Sequence, residues 1–234
     1  MKTRRSTRML GSIVCTVLVS FGVFRGADAQ SDPGRGPAPS LISPKSPATA
    51  PRADGFLRRW LVLEPVRTKG QLTESAVQAA VKTDIFADPL TVLPRDGDTV
   101  TADGSQLAWH AVDTTEYNIN LYHFAYALGK PTSNALFWAM TVVNSPREIT
   151  DVRLAIGSNA ASVWWVNGKE VIALYNDRQT VIDDGVSRRL TLHKGRNIVR
   201  AAIVNAGGAT DFCARFLDPA YKPITDLTVT LANQ

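Results

Sequence analysis

Ser162 to Val171, SVWWVNGKEV, constrains this chain more than any other stretch. Val163, Trp164, Trp165 and Val166 are β-branched or aromatic and suit a pleated, packed surface. Asn167-Gly168 then supplies the two positive-φ positions of a type I′ turn, and Lys169 to Leu174 returns. The stretch is therefore read as a β-hairpin. Successive strand side chains point to opposite faces, so Trp164 and Trp165 cannot share one. One belongs in a core. The other is either exposed, where an indole offers a platform for a flat ligand such as a sugar ring, or covered by something outside the sheet, which would make both tryptophans packing residues of a two-layer sandwich.

The rest of the folded region repeats this theme. Strands are expected at Phe56–Leu63, Leu90–Leu93, Leu107–Val112, Leu121–Leu128, Ala135–Val143, Asp151–Ile156, Arg188–Leu192, Asn197–Val204, Phe212–Leu217 and Leu227–Leu231. Turn signals separate them, among them Asn144-Ser145-Pro146, Asp183-Asp184-Gly185 and Gly207-Gly208. One short helix is expected at Glu74–Lys82, where Leu72, Ala76, Val77, Ala80 and Val81 share a face behind an N-cap at Thr73. Many short strands with one small helix near the start predict a mostly β fold, an antiparallel jelly-roll β-sandwich. The alternation in Asn197-Val199-Ala201 suggests a sheet buried on one face and solvated on the other.

Domain organisation follows from composition. Lys2, Arg4, Arg5 and Arg8, the apolar run Met9–Phe24 and Ala27-Asp28-Ala29 read as a signal peptide over residues 1–29, with Gln30 as the first mature residue and a secreted or periplasmic destination. Residues 30–54 hold six of the thirteen prolines and read as a disordered or extended spacer, leaving residues 55–234 as one sandwich domain. The net charge of +5 falls to +1 once residues 1–29 are removed, which gives no reason to expect nucleic acid or membrane partners. The same cut removes Cys15 and leaves Cys213 alone, expected as a small buried residue.

Four segments carry a resemblance: RRWLVLEP, NALFWAMTVVNSP, DVRLAIGSNAASVWWVNGKEV and RRLTLHKGRNIVRAAIVNAGGATDFCARF. In this order they resemble galactose-binding-like jelly-roll domains found beside bacterial esterases and glycoside hydrolases, and are similar to secreted proteins filed as acetyl xylan esterases. The resemblance covers about residues 55–218 and implies a carbohydrate-binding-module-like fold in polysaccharide degradation. Members often carry an acidic loop before the hairpin. Here Gly157-Ser158-Asn159-Ala160-Ala161 stands in its place and removes those carboxylates.

The chemistry legible in the residues is that of binding. No G-x-S-x-G elbow or HExxH motif occurs, and His110, His123 and His193 are scattered. No cofactor is expected; Asp177, Asp183 and Asp184 could at most supply oxygen ligands to a structural calcium. The long loop YNDRQTVIDDG offers the planar polar groups that line sugar sites: Tyr175, Asn176, Arg178, Asp183 and Asp184, with Trp164 as the platform and Trp138 as a second, more core-like candidate. The reading is an exported, non-catalytic module that binds plant polysaccharide, xylan in particular. An acetyl xylan esterase or related hydrolase is the alternative from the resemblance, and a structural module docking a partner hydrolase is the third.

Overall fold

A computed structural model describes residues 41–82, 93–102 and 104–231. The signal-peptide reading, the first part of the spacer and most of the strand expected at Leu90–Leu93 lie outside the described residues. In chain order the elements are β1 (Leu41–Ile42), β2 (Ala48–Thr49), β3 (Arg59–Leu63), β4 (Val66–Arg67), α1 (Glu74–Val81), β5 (Thr99–Ala102), β6 (Ser105–Thr114), β7 (Ile119–Asn120), α2 (Leu121–Ala127), β8 (Ala135–Ser145), β9 (Ile149–Ser158), β10 (Ala161–Val166), β11 (Lys169–Leu174), β12 (Gly185–Val186), β13 (Leu190–Leu192), β14 (Gly195–Asn205), β15 (Asp211–Leu217) and β16 (Thr228–Thr230).

Two antiparallel sheets form a sandwich. The larger runs β1-β6-β3-β8-β14-β10-β11, and the smaller runs β12-β9-β15-β7 with β13 also on β9. Between them lies a core of Trp60, Phe137, Trp164, Val199, Leu154, Ile156, Phe212 and Phe216, among others. Trp60, Trp164 and Phe212 meet edge to face, with centroids 5.0–6.2 Å apart. That geometry adds to the area they bury.

A second core sits on the outer face of the larger sheet. Leu136, Trp138 and Met140 of β8, Trp165 of β10 and Ala202 of β14 pack there with Val77 of α1 and with Leu93 and Trp109. The larger sheet is therefore covered on both faces, not on one as the alternation in β14 suggested. Its central strands read as nearly continuous apolar runs for that reason.

The hairpin forms as expected, with Asn167 at φ 49° and Gly168 at φ 78°. Its root is tied to the turn before β14. Asn197 is fully buried. Its amide donates to the carbonyls of His193 (2.8 Å) and Gly195 (3.1 Å), and its oxygen accepts from His193 N and Asn167 Nδ2, both at 2.9 Å. This accounts for LHKGRN: the asparagine satisfies a turn that would otherwise bury unpaired backbone groups.

Three expectations change. Leu121–Leu128 is not a strand; Leu121–Ala127 is a helix, so there are two short helices among the described residues. The Asn120 side chain caps it by accepting from His123 N at 2.8 Å, and Leu121, Phe124 and Ala125 form its buried face. Arg188–Leu192 contributes only Leu190–Leu192 to a strand. Part of the Pro-rich stretch also joins the fold: β1 pairs with β6, β2 pairs with β16, and Arg59, 1% exposed, donates to Ser46 O at 2.8 Å. Short backbone pairing and one buried guanidinium hold this segment where composition alone offered nothing.

A buried carboxylate closes the seam between β3, β6 and the turn after α2. Glu64 is 8% exposed and receives Lys130 Nζ at 2.8 Å, Ala108 N at 3.2 Å and the His110 ring at 3.4 Å. Burial alone would raise its pKa, but these donors outweigh it and hold the carboxyl below its ordinary value of 4.5. A lowered folded-state pKa gives stability that is present above the ordinary value and lost as pH falls below it. We expect Glu64→Gln to cost stability at neutral pH and to flatten the loss below pH 4.5, as measured by urea midpoints across an acid series. An unchanged acid slope would contradict this.

Candidate functional site

The loop from Tyr175 to Asp184 starts with Tyr175 packed against the outer core of the larger sheet and crosses, over Arg178 to Asp184, as a strap on the outer face of the smaller sheet. That face is lined with small residues where the strap crosses: Ala155 and Gly157 of β9 and Cys213 of β15 are all buried. A Cβ at Gly157 would run into the Val181 carbonyl, so the close approach requires glycine. Cys213 lies beneath as the small buried residue expected, and burial pushes its thiol up to about 12, far from a reactive thiolate at neutral pH.

Side-chain cross-links hold the strap. Asp183 takes both the Nε (2.9 Å) and an Nη of Arg215 in a forked pair. Arg178 pairs with Asp184. The Thr180 hydroxyl meets the Asp211 carboxylate, which also receives the Asn118 amide. Ala160 N donates to Arg178 O at 3.1 Å, and Gln78 of α1 meets the Tyr175 hydroxyl at 3.3 Å. Asn176 and Gln179 stay exposed.

The sequence-derived residues thus divide. Tyr175, Asn176, Arg178, Asp183 and Asp184 lie on one loop. Trp164 does not join them. It is fully buried between the sheets, its Nε1 donating to Ser162 Oγ at 3.0 Å, and no ligand can stack on it. Trp165 is covered as well: it packs on the outer face under the Arg200 guanidinium, 4.4 Å from the ring, and beside Trp138 at 5.7 Å. Both tryptophans are packing residues, one per face. Trp138 is likewise buried.

An exposed ring does stand beside the strap, and sequence reasoning missed it. Tyr117 is 36% exposed. It packs on Phe56 at 5.5 Å, and Phe56 in turn lies under the Arg215 guanidinium that holds Asp183. On its other side Asn118 leads through Asp211 to Thr180. The available signal was an aromatic residue amid the polar run Thr115-Glu116-Tyr117-Asn118. Val181 and Ile182 of the strap also have exposed side chains.

Two of the three carboxylates proposed for calcium are committed elsewhere, and Asp177 is exposed. Asp183 and Asp184 each face an arginine, and among the described residues no three His, Cys, Asp or Glu side chains gather. The histidines are apart: His110 faces Glu64, His193 stands 3.7 Å from Glu148, and the Nδ1 of His123 is buried with no partner.

We expect Gly157→Ala to lift the strap. Limited proteolysis should then cut within residues 176–184 faster than in the parent, whereas an unchanged cleavage rate would mean that the strap does not rest on Gly157.

No family model and no curated protein matches the chain. Among solved structures it is similar to the PA14 domain of the MpAFP antifreeze protein, at 13% identity over 82% of this chain and 96% of that one, with a TM-score of 0.44. It is also similar to a β-glucosidase from Kluyveromyces marxianus in complex with glucose, at 14% identity over 79% of this chain and 20% of that one, with a TM-score of 0.40. The third is a GH31 α-xylosidase from Xanthomonas citri, at 9% identity over 82% of this chain and 20% of that one, with a TM-score of 0.34. The chain spans only a fifth of each of these two enzymes. None of the three is an acetyl xylan esterase or a galactose-binding-like domain, and at these scores the likenesses carry no argument about family or activity.

Proposed function

We propose that the protein is an exported, non-catalytic carbohydrate-binding module and that its site is the strap together with Tyr117. The observation that carries the reading is an exposed aromatic ring beside a strap whose polar side chains are fixed by ion pairs and hydrogen bonds. Sugar recognition needs an apolar face for stacking and a few planar polar groups at its rim. Fixing those groups beforehand lowers the entropy cost of binding. Tyr117 takes the place of Trp164 as the platform, and Arg178, Asp183 and Asp184 supply the rim, whereas Tyr175 packs on the outer core of the larger sheet and stands apart.

Xylan is the first glycan to test. Isothermal titration calorimetry against xylo-oligosaccharides, with mannan and cellulose oligosaccharides alongside, should give saturable binding. Tyr117→Ala should weaken it about tenfold, the loss of an aromatic contact worth about 1.4 kcal/mol. Folded protein that binds none of these glycans, or a Tyr117→Ala variant that binds unchanged, would overturn the reading.

A further inference from the structure

The two sheets end in strands of very different kinds. β1, β12 and β7 have two residues each, too short to template another chain. β11, at the other end of the larger sheet, has six. It holds no proline; Lys169, Glu170 and a bulge at Val171, where the register against Trp164 and Trp165 shifts, blunt its start, while Ile172 to Leu174 beyond them are uncharged and in regular register. Its residues Lys169 to Ala173 form one wall of a groove of about 710 Å³. The other wall comes from Arg188 to Thr191 and His193.

The groove is basic. Neither Lys169 nor Arg188 has an ion-pair partner among the described residues. Arg189 stands 3.6 Å from Asp151 with both side chains more than half exposed, which leaves most of its charge available. Glu170 is the single acidic residue of the lining. No Phe, Tyr or Trp lines the groove, so it offers a sugar ring none of the usual stacking platforms.

We propose that the free edge of β11 docks an extended, acid-rich segment of a partner protein as an added strand. Unpaired backbone groups supply the affinity, in the manner of strand addition to an exposed sheet edge. Lys169, Arg188 and Arg189 select acidic side chains and steer the encounter. This surface is separate from the strap and independent of sugar binding.

Fluorescence anisotropy of the full chain tests it, with a labelled peptide of alternating Glu and Val as the probe. Saturable binding is expected, with none for the same peptide carrying Lys in place of Glu. The double variant Lys169→Glu, Arg188→Glu changes two exposed side chains and should bind about tenfold or more weakly while keeping its circular dichroism spectrum. Two further peptides, N-methylated on all Glu or on all Val residues, separate strand pairing from charge, because at least one must lose binding when its donors are blocked. Absence of saturable binding overturns the proposal. So does binding of both N-methylated peptides as tight as that of the unmethylated one, which would mean charge attraction alone. Displacement of the peptide by oligogalacturonate at lower concentration than by unlabelled peptide would likewise overturn it and make the occupant an acidic glycan.

Discussion

Replacing Trp164 with alanine will destabilise the fold by about 3–5 kcal/mol, the range for deleting a large buried aromatic side chain. The side chain is fully buried and makes edge-to-face contacts with Trp60 at 6.2 Å and Phe212 at 5.5 Å. It couples strands from both sheets, so the cavity left behind borders rigid β backbone on each side and cannot easily collapse. The indole also donates to Ser162 Oγ, which in turn bonds Ser158 Oγ at 2.8 Å. Trp164→Phe keeps most of the apolar surface and should cost clearly less. Urea midpoints of the parent and the two variants measure this. A shift for Trp164→Ala equivalent to less than about 1 kcal/mol would show that the inter-sheet core tolerates the loss. Any sugar binding lost in Trp164→Ala would therefore report a damaged fold, whereas Tyr117→Ala probes the surface directly.

What could be read from the residues depended on range. The hairpin was legible because a period of two and an Asn-Gly turn are both local signals. Helix α1 was legible for the same reason: Thr73 caps it by accepting from Ala76 N, and its apolar positions share one face. Helix α2 carried equivalent signals in Asn120 and in Leu121, Phe124 and Ala125, but alternating aromatics at Tyr122, Phe124 and Tyr126 imitated a strand. The double-sided burial of the larger sheet was hidden because what covers its outer face comes from separate places in the chain, Val77, Leu93 and Trp109 among them. The strap was legible as a long polar loop but not as a fixed one. Its anchors lie far away in sequence: Arg215 is 32 residues from Asp183, and Asp211 is 31 from Thr180. No local pattern encodes such pairs. The exposed position of Tyr117 was equally out of reach, since it depends on how Phe56 and Arg215 arrive from opposite ends of the domain.

A chain beginning at Gly55 will be less stable than one beginning at Gln30 by about 3 kcal/mol or more, because several hydrogen bonds to charged groups, each worth about 1.5–3 kcal/mol, are lost together. Composition places the domain boundary at Gly55, but the contacts run across it. Asp54 binds Arg58 through both carboxylate oxygens, at 2.9 and 2.6 Å, and Arg52 donates to Thr115 O at 3.2 Å. Buried Arg59 keeps Asp113 but loses Ser46 O, leaving a guanidinium N–H without an acceptor in the interior. The pairing of β1 with β6 and of β2 with β16 goes as well. Urea midpoints of the two chains decide the matter, and equal midpoints would return residues 30–54 to the role of a spacer. The cut should also reach the proposed sugar site. Asp54 O accepts from Arg215 Nη1 at 2.9 Å, and the same guanidinium forks onto Asp183. Freed from Asp54, Arg215 has more freedom and holds the strap less firmly, so the shorter chain should bind xylo-oligosaccharides more weakly even under conditions where it is fully folded.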